Sequence, residues 1–271
     1  MPYARNPRDG NRVYFEDDGG DGDAVLLHGG LLDSVESVRA SQIPKALADH
    51  EFRLVYVDHR GVGRSDKPHD PEAYAMPLRV ADAVAVLDEL GIGRAHFVGA
   101  SYGGRLGFGI GEHAPERVLS LVIGGQQPYA IRPEGPLARV IPGALAASRE
   151  EGSLEPFVRA LEESAGGRVP EPQRTRYLDN DPAAIEAAGS AMLAEGPIST
   201  DLGAWRIRCL VYAGTGDADF YEQARQAARE IPNAEFVSIE ELDHVSAHLQ
   251  SDPVLPAVLR TLRGGTDEPR A

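Results

Sequence analysis

Six short, predominantly apolar runs, separated by segments of helical period, constrain this chain more than any other feature. They are Ala24 to Leu27, Phe52 to Val57, Ala95 to Val98, Val118 to Ile123, Ile207 to Tyr212 and Ala234 to Ile239. Runs of four to six apolar residues bounded by Gly, Asp and Pro are strands buried on both faces. Between them Val80, Val84, Leu87 and Leu90 recur at helical spacing until Gly91 and Gly93, and Tyr221, Ala224, Ala228 and Ile231 until Pro232. Tyr102 to His113 reads as a helix despite its glycines, and Arg12 to Phe15 as a further short strand. A last helix is expected with Asp252 as N-cap and Pro253 at its first position, ending at Gly264-Gly265 before a frayed tail over residues 266–271. Such alternation predicts an α/β fold: a mostly parallel sheet covered by helices on both faces.

One interval breaks the rhythm. Residues 126–204 hold no convincing strand, many Ala and Glu residues, and prolines at 128, 133, 136, 142, 156, 170, 172, 182 and 197. Short helices joined by Pro-marked turns fit best. The expected organisation is a core of residues 1–125 and 205–271, with 126–204 a helical lid inserted between core strands, entering and leaving where such sheets bind ligands.

Charge narrows the partners. The formal net charge of -15 argues against nucleic acid and against anionic lipid, since both need concentrated Lys and Arg. The single cysteine, Cys209, lies in an apolar run and reads as a small buried hydrophobe. The polar stretch Met1 to Gly10 lacks the apolar segment of a secretory signal, and a cytoplasmic protein is expected. Homo-oligomerisation is left open.

The strongest chemical signal is Gly99-Ala100-Ser101-Tyr102-Gly103, between an apolar strand and a helix. A nucleophilic serine must be lifted clear of the sheet edge, which a sharp strand-to-helix turn achieves by straining its backbone. The positions two before and two after it then press on neighbouring backbone, so both must be nearly free of side chain. Attack also needs a place for the oxyanion. His28-Gly29-Gly30-Leu31 offers amides on a loop stripped of side chains, so the expected hole combines the amide of Gly30 (or its neighbour Leu31) with that of Tyr102. His28 itself reads as structural.

An acid is expected after a later strand. Asp217 lies in the turn following Ile207 to Tyr212, with Asp219 as the alternative. The base must come afterwards, and only His244 and His248 do. His244, just past the last strand on a loop able to reach over the sheet edge, is preferred.

The order Ser101, Asp217, His244, the Gly-x-Ser-x-Gly turn and the His-Gly-Gly loop resemble the α/β-hydrolase superfamily. Asp58-His59-Arg60-Gly61-Val62-Gly63-Arg64-Ser65 is similar to a loop of its lidded, cofactor-free branch, where it is usually structural. The likeness covers roughly residues 12–125 and 205–263. It implies a serine hydrolase acting through an acyl-enzyme on a small-molecule ester, lactone or thioester, requiring neither metal nor organic cofactor. C–C bond hydrolysis and a non-hydrolytic role as ligand-binding receptor, lyase or cofactor-free oxygenase are the alternatives. Family members that open epoxides or remove halogens carry Asp where Ser101 stands. One departure is Asp243, where the family usually has Gly before its histidine.

Overall fold

The computed structural model describes residues 2–131, 135–165 and 167–264. Gly265, Pro133 and the tail at 266–271 lie outside them. Eight strands form one sheet: β1 (Tyr3–Arg5), β2 (Arg12–Asp17), β3 (Ala24–His28), β4 (Arg53–Val57), β5 (Ala95–Ala100), β6 (Val118–Gly124), β7 (Arg208–Gly214) and β8 (Ala234–Ile239). Their spatial order is β1-β2-β4-β3-β5-β6-β7-β8; β1 and β2 pair antiparallel, as do β2 and β4, and all other pairs are parallel. The chain steps from β3 outward to β4 and then crosses back to β5 on β3's other side. Strand order therefore reverses between β3 and β5, the place where open α/β sheets bind ligands.

The helices are α1 (Val35–Ala40), α2 (Gln42–Ala48), α3 (Met76–Glu89), α4 (Tyr102–His113), α5 (Pro136–Glu151), α6 (Glu155–Ser164), α7 (Gln173–Leu178), α8 (Pro182–Ala194), α9 (Tyr221–Glu230), α10 (His244–Leu249) and α11 (Leu255–Arg263). Two apolar layers flank the sheet. Leu26, Val55, Phe97, Leu121 and Val211 face one side with α3, α4 and α9; Leu27, Leu54, Val98, Val122 and Leu210 face the other with α1, α2 and α11. Period-two alternation sends neighbouring strand residues to opposite layers, which is why these strands read as apolar throughout. Among the described residues no helix is long and apolar enough to cross a membrane.

Three details differ from the sequence reading. Tyr3 to Arg5, read only as part of a polar stretch, pairs with β2 as an edge strand. Asp252 does not cap the last helix: it opens a 3-10 turn, and the α-helix begins at Leu255 and ends on Gly264 in the left-handed conformation (φ 87°). His244 is not on a free loop but is the first residue of α10.

Between β6 and β7 the described residues form four α-helices and no strand. This insertion shares a core with the loops beneath it. Leu145, Phe157, Val158 and Ile185 pack with Leu32 and Val62, while Ala187, Ala188 and Met192 of α8 cover Tyr74 and Tyr102. Arg105, fully buried on α4, fastens both ends of the insertion. Its guanidinium donates to the carbonyls of Gln127 and Tyr129 at the entry, and to the Glu195 carboxylate (2.6 Å) and the Gly196 carbonyl at the exit.

Candidate active site

Four loops at the carboxyl ends of β3, β5, β7 and β8 converge. Ser101 sits between β5 and α4 with φ 52° and ψ -115°, a conformation that L-residues rarely adopt. Its backbone is held by a bond from its amide to the Gly124 carbonyl (2.8 Å). The flanking glycines are required sterically. A Cβ on Gly99 would lie 2.6 Å from the Gly103 carbonyl carbon, and one on Gly103 only 2.5 Å from the His28 carbonyl oxygen. The Gly103 amide donates to Gly29 O (2.9 Å), pinning the loop after β3 against the turn that carries the serine.

The Ser101 hydroxyl lies 3.0 Å from His244 Nε2, and His244 Nδ1 lies 2.8 Å from Asp217 Oδ2. A carboxylate can only accept, so Nδ1 carries the proton and Nε2 is left to accept from the serine. The Asp217 side chain is almost wholly buried, whereas His244 keeps an edge in solvent. Oδ1 of Asp217 accepts from the amides of Asp219 and Phe220, fixing the carboxylate's orientation, and the Phe220 ring packs 5.0 Å from the imidazole. Gly125, in the left-handed region at φ 54°, lies beneath the ring; a Cβ there would sit 3.4 Å from Cε1 and Nδ1 of His244.

Asp219, the alternative acid, points elsewhere: its carboxylate accepts from the amides of Leu137 and Ala138 at the start of α5. Asp243 replaces the usual glycine without strain because its backbone is extended (φ -83°) and its side chain caps α10. It accepts from the Ser246 amide at 2.7 Å while the Ser246 hydroxyl accepts from its own amide. The left-handed residue of this turn is Glu241, at φ 63°.

The oxyanion loop departs from expectation. The amide of Gly30 donates to Asp33 Oδ2 at 2.7 Å, so it is not free for a ligand. The turn closes on itself, with the Asp33 amide donating back to Gly30 O. The amides of Leu31 and Tyr102 have no acceptor in the chain among the described residues. Asp33 was not singled out by the sequence, since an acid three residues after a His-Gly-Gly loop has no distinctive spacing. Its carboxylate also meets Gln173 Nε2 (2.8 Å) and His248 Nε2 (2.8 Å). Burial opposes both charges of the Asp33–His248 pair. The His248 charge, helped by hydrogen bonds from Gly30 and Tyr177, outweighs it for Asp33, and the Asp33 carboxylate outweighs it for His248, holding the carboxyl below, and the imidazole above, its ordinary value.

Behind the loop, His28 and His59 stack with centroids 5.3 Å apart. Burial keeps both neutral, His28 well below its usual range and His59 lowered to about 4. The loop from Asp58 to Ser65 is occupied internally. Asp58 accepts from the amides of Val35 and Arg64, and the buried Arg60 guanidinium binds Asp82 and Asp9. Cys209 is buried, which pushes its thiol up to about 12. Among the described residues no three His, Cys, Asp or Glu side chains are grouped to hold a metal.

The family model described as alpha/beta hydrolase fold matches residues 23–141, which reach from β3 through the serine turn into α5. The chain has the α/β-hydrolase fold. Across nearly its whole length the chain superimposes on a thermophilic esterase from Thermogutta terrifontis (TM-score 0.79, 28% identity, 96% of this chain and 97% of that one). It also superimposes on the enol-lactonase of Burkholderia xenovorans LB400 (TM-score 0.75, 23% identity, 97% and 100%). The mouse bifunctional epoxide hydrolase 2 is 37% identical over 131 residues, 45% of this chain and 23% of that protein. The chain thus spans about a fifth of the length of the first curated relatives it matches.

Proposed function

We propose that this protein is a serine hydrolase that cleaves a carboxylic ester-type bond (ester, lactone or thioester) of a small molecule. The observation that carries this reading is the continuous hydrogen-bonded line from Asp217 through His244 to a serine hydroxyl on a strained turn. His244 Nε2 takes the hydroxyl proton as Oγ bonds to the carbonyl carbon, and Asp217 keeps the ring in the required tautomer and stabilises the imidazolium. The oxyanion accepts from the amides of Tyr102 and Leu31, Gly30 being committed to Asp33. Collapse expels the alcohol or thiol with the proton from His244 and leaves an acyl-enzyme. Water then gives a proton to His244, attacks the acyl carbon, and the acid departs as Oγ regains its proton.

The chemistry of the nucleophile separates this reading from epoxide opening. A carboxylate that attacks an epoxide gives an ester that water can cleave, whereas Ser101 would give an ether with no carbonyl to attack. The esterase from Thermogutta terrifontis supports the ester reading by its likeness over the whole chain. The insertion over 126–204 serves as a lid that shapes the acyl site, since α8 packs on Tyr102 and α5 on the acid turn.

Labelling with a fluorophosphonate probe tests the proposal. Modification is expected at Ser101, lost in Ser101→Ala and strongly reduced in His244→Ala. Hydrolysis of p-nitrophenyl acetate that persisted undiminished in Ser101→Ala would sink it.

A further inference from the structure

One helical turn of α10 carries two histidines with separate carboxylate partners. His244 reaches Asp217 and Ser101, while His248, four residues on, reaches Asp33. The second pair borders the first. A Cβ built on Gly30 lies 3.7 Å from the Ser101 Cβ, 3.0 Å from Asp33 Oδ2 and 3.8 Å from His248 Nε2, so all three crowd one side of one residue. On its far side the pair closes a cavity of about 450 Å³ lined by Val38, Lys45, Gln173 and Arg176.

This arrangement poses an electrostatic problem. Asp33 is buried, and if it stood alone its negative charge would oppose the negative charge that grows on a carbonyl oxygen beside Ser101. An imidazolium at His248 cancels it. The same carboxylate draws the Gly30 amide away and fixes the loop, so that the next amide, Leu31, is left without an acceptor.

We propose that Asp33 and His248 are positioning residues for the oxyanion loop: their ion pair sets the loop's conformation and neutralises the carboxylate beside the developing oxyanion. This rests on the serine-hydrolase reading above for its consequence, though not for its chemistry. Burial counts against the imidazolium, and the charge of Asp33 with its hydrogen bond overcomes it, in keeping with a charged pair. The other ionisable groups around the pair are Tyr177 of α7, His28 and His59, with Arg79 beyond them. Glu171, Lys45 and Arg176 line the cavity. Both inner histidines are held neutral by burial, which leaves His248 as the histidine in contact with Asp33 that can carry the compensating charge.

Three variants and two readouts test it. In His248→Gln a hydrogen bond to Asp33 can persist without the charge, so kcat for p-nitrophenyl acetate should fall on the order of tenfold with KM within about twofold. In Asp33→Asn/His248→Gln the buried charge is gone as well, and kcat should recover to within about threefold of the natural protein. A pair that merely supported the fold would show the opposite order, with the double variant the worse. An unchanged kcat in His248→Gln, or a double variant no faster than the single one, overturns the proposal. The second readout needs no turnover. In Ser101→Ala, NMR should show the His248 imidazole titrating above free histidine, and Asp33→Asn should lower that titration. No change on Asp33→Asn refutes the pairing even for a protein that hydrolyses nothing. Absence of fluorophosphonate labelling in the natural protein would instead count against the hydrolase reading alone.

Discussion

Asp217 and Asp219 lie on one turn, and the carboxylate of the first accepts the backbone amide of the second at 3.1 Å while the two side chains serve different parts of the molecule. Asp217 meets His244; Asp219 receives the first amides of α5. The start of the insertion is therefore tied to the turn that holds the acid. Substitutions at the two positions should separate cleanly. Asp217→Asn is expected to lower kcat about ten-thousand-fold by favouring the wrong histidine tautomer. Asp219→Ala is expected to cost about 1 kcal/mol as a lost helix cap, a fall in Tm of about 2–4 °C. Ester kinetics and thermal melts on both variants check this, and an Asp219 variant as inactive as the Asp217 one would contradict it.

Backbone strain at Ser101 predicts a difference between two inactive variants. Neither Ser101→Ala nor Ser101→Gly has a hydroxyl, and both should lose about ten-thousand-fold or more in turnover. Only glycine adopts φ 52° without steric cost. Ser101→Gly should therefore be more stable than Ser101→Ala by about 1 kcal/mol in urea unfolding. Equal stability would mean that the turn is relaxed.

Gly103→Ala should be damaging for a reason unrelated to chemistry. Its Cβ would stand 2.5 Å from the His28 carbonyl oxygen and 2.7 Å from that of Gly29, both backbone atoms that cannot rotate aside. About 1–3 kcal/mol of stability should be lost, together with labelling at Ser101, because the serine turn and the oxyanion loop are forced apart. Retained labelling at a normal rate would show that the contact is slack.

Arg105 gives the insertion its own test. Replacing it with Met leaves the Glu195 carboxylate and three carbonyls without their donor. Breaking such a buried pair from one side costs about 3–5 kcal/mol, whereas removing both charges costs less. Arg105→Met should therefore be less stable than Arg105→Met/Glu195→Leu, as read from urea midpoints.

Acid should destabilise the protein above the ordinary carboxylate range. Burial holds His59 and His96 at about 4, and His28 well below its ordinary 6.5. These groups take up protons more readily when unfolded, so their share of stability is complete above pH 6.5 and is lost as pH falls towards 4. Asp58 acts in the other direction, because burial raises its carboxyl to about 6 and its contribution disappears as pH rises through that value. Asp82 and His248, both raised from their ordinary values, act in the same direction as Asp58, and the wide downward shifts of the three buried histidines outweigh them. Calorimetry should show Tm falling from pH 7 to pH 4.5, and a flat profile would argue that these histidines are hydrated.

Much of the scaffold was legible beforehand because strand and helix patterning is local. The apolar runs mark β3 to β8 with errors of one or two residues at their ends, and Gly91 and Pro232 stop the helices where expected. β1 escaped notice because an edge strand of three residues, paired on one side only, needs no apolar run. The last helix began later than Asp252 because that residue opens a 3-10 turn before the α-helix. Ser101 and His244 could be picked out from motif and chain order, and the acid narrowed to Asp217 or Asp219, whereas Asp33 and Gly125 could not be found, since their relation to His248 and His244 spans long stretches of sequence.

Local patterning laid down most of the elements, their alternation and the strained serine turn, because steric and hydrophobic constraints act between residues a few positions apart. Which amide of the loop after β3 remains free, which of Asp217 and Asp219 meets the imidazole, and which carboxylate His248 pairs with were decided only by tertiary structure. Hydrogen bonds and charge pairs are won by whichever group packing brings within about 3 Å, and that distance is set by the whole sheet rather than by any segment of it.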